Sequence, residues 1–224
     1  TKLEQLTKSK ILTRYYFTSK EGNAIFRVYC MEKMGKYLLN SREIECKWQP
    51  SDNAKPVEMM KKKLSGNQLI IAYMRKVKAF NSYTLKPQIT AKSLGKIFKP
   101  IAKINFKYAN REIDFVYEVI RRNPGWESRL VERMELWKDF YYNFVPGDSG
   151  FKTIPQLVFV CEDKKQMAEV FKTLIINNIK IDKINFYYTT DLMQNADDLS
   201  HSLYDFIEEN GKYNVRNVEA KILG

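Results

Sequence analysis

The stretch "PQLVFVCEDKKQMAEVFKTLIINNIKIDKINFYYTTD", which runs from Pro155 to Asp191, decides the fold class. Its first apolar run, "QLVFVC", has the length and composition of a strand that is buried on both faces. A helical segment follows in "KKQMAEVFKTLIINN", and "INFYYTTD" is a second strand, rich in aromatic and β-branched residues. A helix between two strands is typical of a crossover connection, so this order predicts an α/β domain with a parallel or mixed sheet.

The residues before this stretch add strands and one more helix to the domain. "AKINFKY" and "REIDFVYEVI" alternate apolar and polar residues and are separated by only two residues, which predicts a hairpin. From Trp126 to Phe144, apolar residues recur at helical spacing, and we expect Trp137 to lie buried against the sheet. "SYTLKPQIT" is predicted to be a short edge strand, because Pro87 cannot donate a hydrogen bond inside a sheet. After the opening stretch, we expect a helix over 197–209 and a strand near 218–223.

The first 48 residues show the order helix, hairpin, helix. Leucines recur at helical spacing in the first seven residues, and "RYYFT" and "AIFRVY" are strands joined by the turn cluster "SKEGN". "MEKMGKYLL" returns to helix, with Met31, Met34 and Leu38 on one face. This order matches the second half of a winged helix-turn-helix, in which the first helix enters the major groove and the hairpin is the wing. We therefore expect the two earlier helices of such a module upstream of Thr1.

The net charge of +12 is concentrated in the first half of the chain. Residues 1–65 contain fourteen Lys and Arg against seven Asp and Glu, and residues 66–108 contain nine basic residues and no acid. Such a basic half favours a polyanionic partner, and we predict double-stranded DNA. The residues expected to contact it lie on the first helix, at its end and on the hairpin: Lys2, Lys8, Lys10, Arg14, Lys20 and Arg27.

Simpler interpretations of the basic half stay open at this point. A helix, hairpin and helix can pack on the second domain without touching DNA, and winged helices also bind proteins. Lysine-rich chains encoded by AT-rich genomes are often basic without binding nucleic acid. The run of three lysines at 61–63 is typical of a solvated helix face.

Composition argues against several other classes of protein. No run of about 18 apolar residues is present, so we expect no membrane-spanning segment. The three cysteines are far apart and lack metal-ligand spacing, which favours buried thiols in a cytoplasmic protein rather than a disulfide framework. With a single histidine, His201, the chain is poorly supplied for a zinc site or a Ser-His-Asp triad. We therefore predict no cofactor and no metal.

Three segments resemble the replication-relaxation family of plasmid and conjugative-element proteins. They are the hairpin and following helix "RYYF…FRVYCMEKMGKYLL", the strand "DFVYEVIRRN" and the tail "LVERMELWKDFYYNF…IPQLVFVCEDKKQMAEVF". The resemblance implies a winged helix followed by an α/β domain related to the restriction-endonuclease fold. The implied organisation is part of a winged helix over 1–48, a connector and helix over 49–82, and the endonuclease-like domain over 83–224.

An endonuclease-like domain raises the question of metal-dependent cleavage. Such a site needs an acid on one strand and an acid-x-Lys motif on the next, so that carboxylates hold Mg²⁺ while the lysine acts on water. The candidate motif here is Glu118-Val119-Ile120, with isoleucine in place of lysine. Asp114 and Glu118 lie on one face of their strand but are separated by about 13 Å, too far to chelate one ion. We expect Glu118 instead to pair with a nearby base, namely Arg121, Lys103 or Lys107.

The predicted function is that of a DNA-binding accessory protein in plasmid replication, relaxation or conjugative transfer. Enzyme activity is left open, with a catalytically inactive domain favoured. Replication or transfer proteins are the expected protein partners, and a homodimer is left open. The alternatives are a metal-dependent nuclease that gains ligands from another chain and a winged-helix transcriptional regulator whose second domain dimerises.

Overall fold

A computed structural model of the chain describes residues 1–18, 25–53, 56–109, 111–209 and 212–224. The chain forms two compact units, Thr1–Val57 and Glu58–Gly224. The division falls inside the stretch 49–82 that the sequence assigns to a connector and helix. Each unit is described separately below.

The first unit is built on a two-stranded antiparallel hairpin with a helix on each side in the sequence. Its elements are α1 (Lys2–Lys8), β1 (Leu12–Thr18), β2 (Ile25–Met31), α2 (Lys33–Asn40) and a 3-10 turn at Pro50–Asp52. The side chain of Asn53 attaches the segment after α2 to the end of the hairpin. Its amide donates to the carbonyl of Met31 at 3.0 Å and to the carboxylate of Glu32 at 2.9 Å.

Gly35 allows α2 to approach the turn between α1 and β1. A Cβ atom at this position would lie 2.7 Å from the backbone carbonyl oxygen of Ile11 and 2.7 Å from Cγ of Met31. Contacts that short are not tolerated, and a backbone oxygen held in a turn has little room to move. The amide of Glu32 donates to the same carbonyl at 2.9 Å, so the close approach is also fixed by a hydrogen bond.

We expect Gly35→Ala to destabilise the first unit by about 1–2 kcal/mol, since overpacking typically costs about 1–3 kcal/mol and alanine returns up to about 1 kcal/mol in helix propensity. Hydrogen exchange of the amides in α1 and β1 measures the effect, with Met34→Ala, an exposed position on the same helix, as the control. Exchange rates that stay at the wild-type value in Gly35→Ala would contradict the close approach.

The second unit contains a seven-stranded mixed sheet with helices on both faces. Its helices are α3 (Val57–Lys76), α4 (Trp126–Tyr142) and α5 (Lys164–Ile176), with α3 starting at the unit boundary. Its strands are β3 (Phe80–Leu85), β4 (Ile89–Ala91), β5 (Lys96–Phe98), β6 (Ala102–Tyr108), β7 (Arg111–Val119), β8 (Gln156–Cys161), β9 (Phe186–Thr190), β10 (Leu203–Glu209) and β11 (Lys212–Val218).

The sheet has the strand order β11-β10-β9-β8-β7-β6-β3, and β4 pairs with β5 in a separate hairpin. The central strands β7, β8 and β9 are parallel, while the flanking pairs are antiparallel. α4 joins β7 to β8 and α5 joins β8 to β9, as parallel pairing requires. The carboxyl ends of the three parallel strands therefore meet at one edge of the sheet.

Two hydrophobic cores cover the two faces of this sheet. On one face, Leu69 and Tyr73 of α3 pack with Phe106 and Tyr117. On the other face, α4 and α5 pack with the β4–β5 hairpin around Trp137, which is fully buried. Because both faces are covered, the central strand β8 consists almost wholly of apolar residues.

The structure confirms the α/β class and the mixed sheet. It also confirms the β6–β7 hairpin, the strands β8 and β9, the helices α4 and α5, and the burial of Trp137. The predicted strand "SYTLKPQIT" is divided in two: β3, an edge strand, ends at Leu85, β4 starts at Ile89, and Pro87 lies between them. Asn110 in the β6–β7 turn lies outside the described residues.

Several predicted elements are wrong. The expected helix over 197–209 contains the strand β10, and the expected strand at 218–223 is displaced to β11, which ends at Val218. Met31 is the last residue of β2 rather than part of the helical face of α2. Only Cys161 is buried among the cysteines, while Cys30 and Cys46 are half-buried.

Within the described ranges, we find no helix long and apolar enough to cross a membrane.

Candidate nucleic-acid interface

Local hydrogen bonds fix the path of the chain from α1 into the hairpin. Thr1 and Glu4 form a capping box at the start of α1. At its end Lys10 adopts a left-handed backbone conformation with a φ of 54°, and the amide of Ile11 donates to the carbonyl of Leu6 at 2.9 Å. This bond closes the helix and turns the chain directly into β1.

The hairpin has one face turned toward its own unit. Tyr15 and Thr13 lie on this face, since alternate residues of a strand point to the same side. The hydroxyl of Tyr15 donates to the carbonyl of Asn53 at 3.0 Å, and the hydroxyl of Thr13 donates to the carboxylate of Glu32. These hydrogen bonds hold the hairpin against the segment that follows α2.

The opposite face of the hairpin is basic and aromatic. The register pairs Arg14 with Tyr29 and Tyr16 with Arg27, so these four residues share one face. The guanidinium of Arg14 lies over the ring of Tyr16, 4.9 Å from its centroid, and Tyr16 is 53% exposed. Arg27 is also exposed, while Arg14 and Tyr29 are half-buried. A partly exposed surface that alternates arginine and tyrosine suits binding to phosphates and bases.

The other predicted DNA-binding residues differ in their relation to this face. Lys10 is exposed and lines a shallow concavity together with Arg14 and Tyr16. Lys2 and Lys8 are exposed on α1 but lie about 120° apart around its axis, so they do not form one row. Lys20 lies outside the described residues.

Sequence reasoning missed Tyr16 and Tyr29 as members of this face. Their place on this face was partly visible in the sequence, because each tyrosine lies two residues from an arginine on a strand that was already predicted. What it lacked was the pairing register, which brings Arg14 and Arg27 into diagonal positions on neighbouring strands.

In the second unit, charged side chains gather at the carboxyl ends of the parallel strands. Arg121, two residues after the end of β7, is 4% exposed and donates to both carboxylate oxygens of Asp191, which follows β9, at 2.7 and 2.9 Å. The hydroxyl of Ser65 on α3 donates to the same carboxylate at 2.7 Å. The bridge therefore ties two central strands and α3 together.

Arg122 forms a second bridge at this edge. Its guanidinium donates to Asp163 at 2.7 and 2.8 Å and to Glu169 at 2.9 Å, and it lies 3.4 Å from Glu162. The arginine lowers the pKa of the Asp163 carboxyl to about 2, while Asp163 also caps α5 by accepting from the amide of Gln166. The arginine therefore holds the start of α5 to the end of β7.

Glu118 has different partners from those predicted. The indole of Trp137 donates to its carboxylate at 3.0 Å, and Nε of Arg133 lies 3.4 Å away, so the expected pairing with Arg121, Lys103 or Lys107 is wrong. Both partners project from α4, because Glu118 points toward the face of the sheet that α4 covers. Burial raises the pKa of the Glu118 carboxyl, and the charge of Arg133 offsets this only in part.

A raised pKa means that the folded state holds the Glu118 proton more tightly than the unfolded chain, whose ordinary value is 4.5. The resulting stabilisation is complete below that value and is lost as the pH rises through the folded-state pKa. We expect Glu118→Gln, which keeps an acceptor for Trp137, to reduce the fall in unfolding free energy between pH 4.5 and neutrality. Urea denaturation at a series of pH values measures it, and superimposable profiles for both proteins would contradict the raised pKa.

Asp114, the second acid of the nuclease hypothesis, is engaged separately from Glu118. The amide of Asn105 donates to it at 2.9 Å and Lys103 lies 3.3 Å away. Within the described residues, no group of three or more His, Cys, Asp or Glu side chains is arranged to hold a metal ion.

Comparisons with protein-family models, with curated proteins and with solved structures find no significant match to this chain.

Proposed function

We propose that the protein binds double-stranded DNA through the Arg14–Tyr16–Arg27–Tyr29 face of the β1–β2 hairpin. The observation that carries the proposal is the register of the hairpin, which places two arginines on one partly exposed face with two tyrosines. The exposed Lys10 adds a third positive charge beside them. Guanidinium groups pair with phosphate oxygens in a fixed geometry, and the backbone phosphates supply most of the affinity of such complexes.

The role proposed for this binding is that of an accessory protein in plasmid replication, relaxation or conjugative transfer, acting in the cytoplasm. The process is suggested by the resemblance of the hairpin, the β7 strand and the α4-to-α5 segment to the replication-relaxation family. We propose that the hairpin is the wing of a winged helix. The second unit then serves as a scaffold without catalytic activity, since its buried acids Asp114 and Glu118 are committed to separate partners.

We expect the Arg14→Ala/Arg27→Ala double variant to bind a DNA duplex at least roughly tenfold more weakly than wild type, because hydrogen bonds to charged groups contribute about 1.5–3 kcal/mol each. The slope of log affinity against log salt should also fall by about 0.9 for each phosphate that the variant no longer neutralises. Fluorescence anisotropy of a labelled duplex over a salt series measures both quantities.

Arg42→Ala is the matched control, since Arg42 is an exposed arginine of the same unit that lies outside the hairpin. Lys10→Gly is a useful third variant: it removes a charge at a left-handed position where glycine is the preferred residue, so the fold is not strained. Equal losses of affinity in Arg42→Ala and in the double variant would sink the proposal. So would an unchanged salt slope in the double variant.

A further inference from the structure

A cluster of basic side chains surrounds Glu118 where β7 ends. Arg129 and Arg133 lie four residues apart and therefore on one side of α4. Lys62 lies on α3 three residues before Ser65, which donates to Asp191 at the carboxyl ends of the parallel strands, and its charge interacts with Glu118, Arg129 and Arg133. Arg133 and Lys62 thus act on one buried carboxylate, and Arg129 adds a third positive charge that acts on Lys62.

The single carboxylate does not balance these charges. Glu118 is 7% exposed, and its two close partners are Trp137 and Arg133. Among the described residues, neither Lys62 nor Arg129 has a carboxylate oxygen within 4.0 Å, and the side-chain partner of Arg129 is the neutral amide of Asn123. The cluster therefore keeps an excess of positive charge in a partly buried place.

Two neighbouring arginines, Arg121 and Arg122, have their charges balanced by acids. Both outer nitrogens of Arg121 are bonded, to Asp191 and to the carbonyls of Ile120 and Val160, and Arg122 is paired with three acids. Both hold structural elements together. Arg133, by contrast, uses only its Nε toward Glu118, so the outer N–H groups of its guanidinium remain for another acceptor.

We propose that Lys62, Arg129 and Arg133 form a binding site for a phosphate group at the carboxyl end of β7. A free phosphate brings up to two negative charges, which equals the excess of three cations over one carboxylate, and a phosphate in a nucleic-acid backbone brings one and offsets half of it. Its oxygens suit the planar fork of a guanidinium and the point charge of a lysine. Arg129 is exposed and the side chain of Arg133 is 31% exposed, so the site is accessible from solvent.

Burial supports the assignment of Lys62. The pKa of this lysine is lowered, first by desolvation and then by the positive charges of Arg129, Arg133 and Arg121, while Glu118 opposes the shift. An anion placed among these groups would stabilise their charged forms together. The inference stands apart from the hairpin interface, because it concerns other residues in another unit.

Equilibrium dialysis of the full chain against radiolabelled inorganic phosphate at low ionic strength tests the site. We expect saturable binding at one site, and an affinity lowered by about tenfold in Arg129→Gln and in Lys62→Gln, in line with the loss of one charged hydrogen bond. Lys172→Gln, at an exposed position on α5, is the matched control and should bind as wild type does. Circular dichroism establishes that the variants are folded.

An unlabelled DNA duplex in the same experiment distinguishes the two sources of the phosphate group. Displacement of the radiolabel, also from the Arg14→Ala/Arg27→Ala protein, identifies a backbone phosphate as the ligand. Retention of the radiolabel identifies a free phosphate, and both results support the site. The proposal is overturned by the absence of saturable binding to wild type, or by wild-type affinity in both Arg129→Gln and Lys62→Gln.

Discussion

Replacement of Trp137 by alanine is expected to lower the free energy of unfolding by about 3–5 kcal/mol, the usual cost of emptying a large aromatic position in a core. Trp137 is fully buried and contacts the rings of Phe98, Phe140 and Tyr141 at centroid distances of 4.9, 5.8 and 5.5 Å. The substitution also removes the indole donor of the buried Glu118 carboxylate. Urea denaturation followed by circular dichroism measures the change.

Trp137→Phe separates the two contributions. Phenylalanine keeps most of the aromatic packing and removes the indole N–H, so we expect a smaller destabilisation, of about 1–3 kcal/mol, from the lost hydrogen bond to the buried carboxylate and the reduced volume. A destabilisation below about 1 kcal/mol in Trp137→Ala would mean that this core tolerates a cavity of that size, contrary to the usual range.

Asp191→Ala is expected to cost about 3–5 kcal/mol, because it leaves the guanidinium of Arg121 buried without its counter-charge. Asp191 itself is a third exposed, so we place the destabilisation near the lower end of that range. The hydroxyl of Ser65 loses its acceptor in the same variant. Thermal unfolding and urea denaturation both report the change.

Asp182→Ala provides the comparison for Asp191→Ala. Asp182 also faces a base, Lys180 at 3.4 Å, but both side chains are mostly exposed. Such a surface pair contributes about 0–1 kcal/mol, so its removal should have little effect. Similar destabilisation in the two variants would show that the Arg121–Asp191 bridge behaves as a surface ion pair.

The sequence identified the elements whose pattern is set by their own residues. The helices α4 and α5 have apolar residues at helical spacing, and the strands β8 and β9 are short and rich in β-branched and aromatic residues, which separates them from helices. Pro87 was expected to lie inside an edge strand, but it lies in the connection between β3, which is an edge strand, and β4. Burial of Trp137 followed from its position in the apolar stripe of α4.

The end of the chain was misread because its pattern is ambiguous. The sequence "LYDFIEENGKYNVRNV" contains Asn210-Gly211, a typical hairpin signal, yet the acidic residues before it favoured a helix. In the structure the strands on either side of this dipeptide pair from Leu203 with Val218 to Glu209 with Lys212. A prediction based on Asn210-Gly211 rather than on the acidic residues would have given the hairpin.

The partners of Glu118 depended on information that the sequence does not contain. Its predicted partners were close in the chain or on the neighbouring strand, whereas Trp137 and Arg133 come from a helix that crosses the sheet face. The same limit applies to the cluster of Lys62, Arg129 and Arg133, which is brought together by packing of α3 and α4 on the sheet. The hairpin face was nearer to prediction, since only its register was missing.

The two edge strands of the seven-stranded sheet bear on aggregation. β3 and β11 each pair on one side only, which leaves a row of backbone groups open to another chain. On β11, Lys212 and Arg216 are exposed, and Arg216 is anchored across the pair by its Nε bond of 3.0 Å to Asp205. Lys86 and Pro87 follow the end of β3 directly. Charge and proline at these positions oppose edge-to-edge association, so the sheet resists growth into fibrils at its ends.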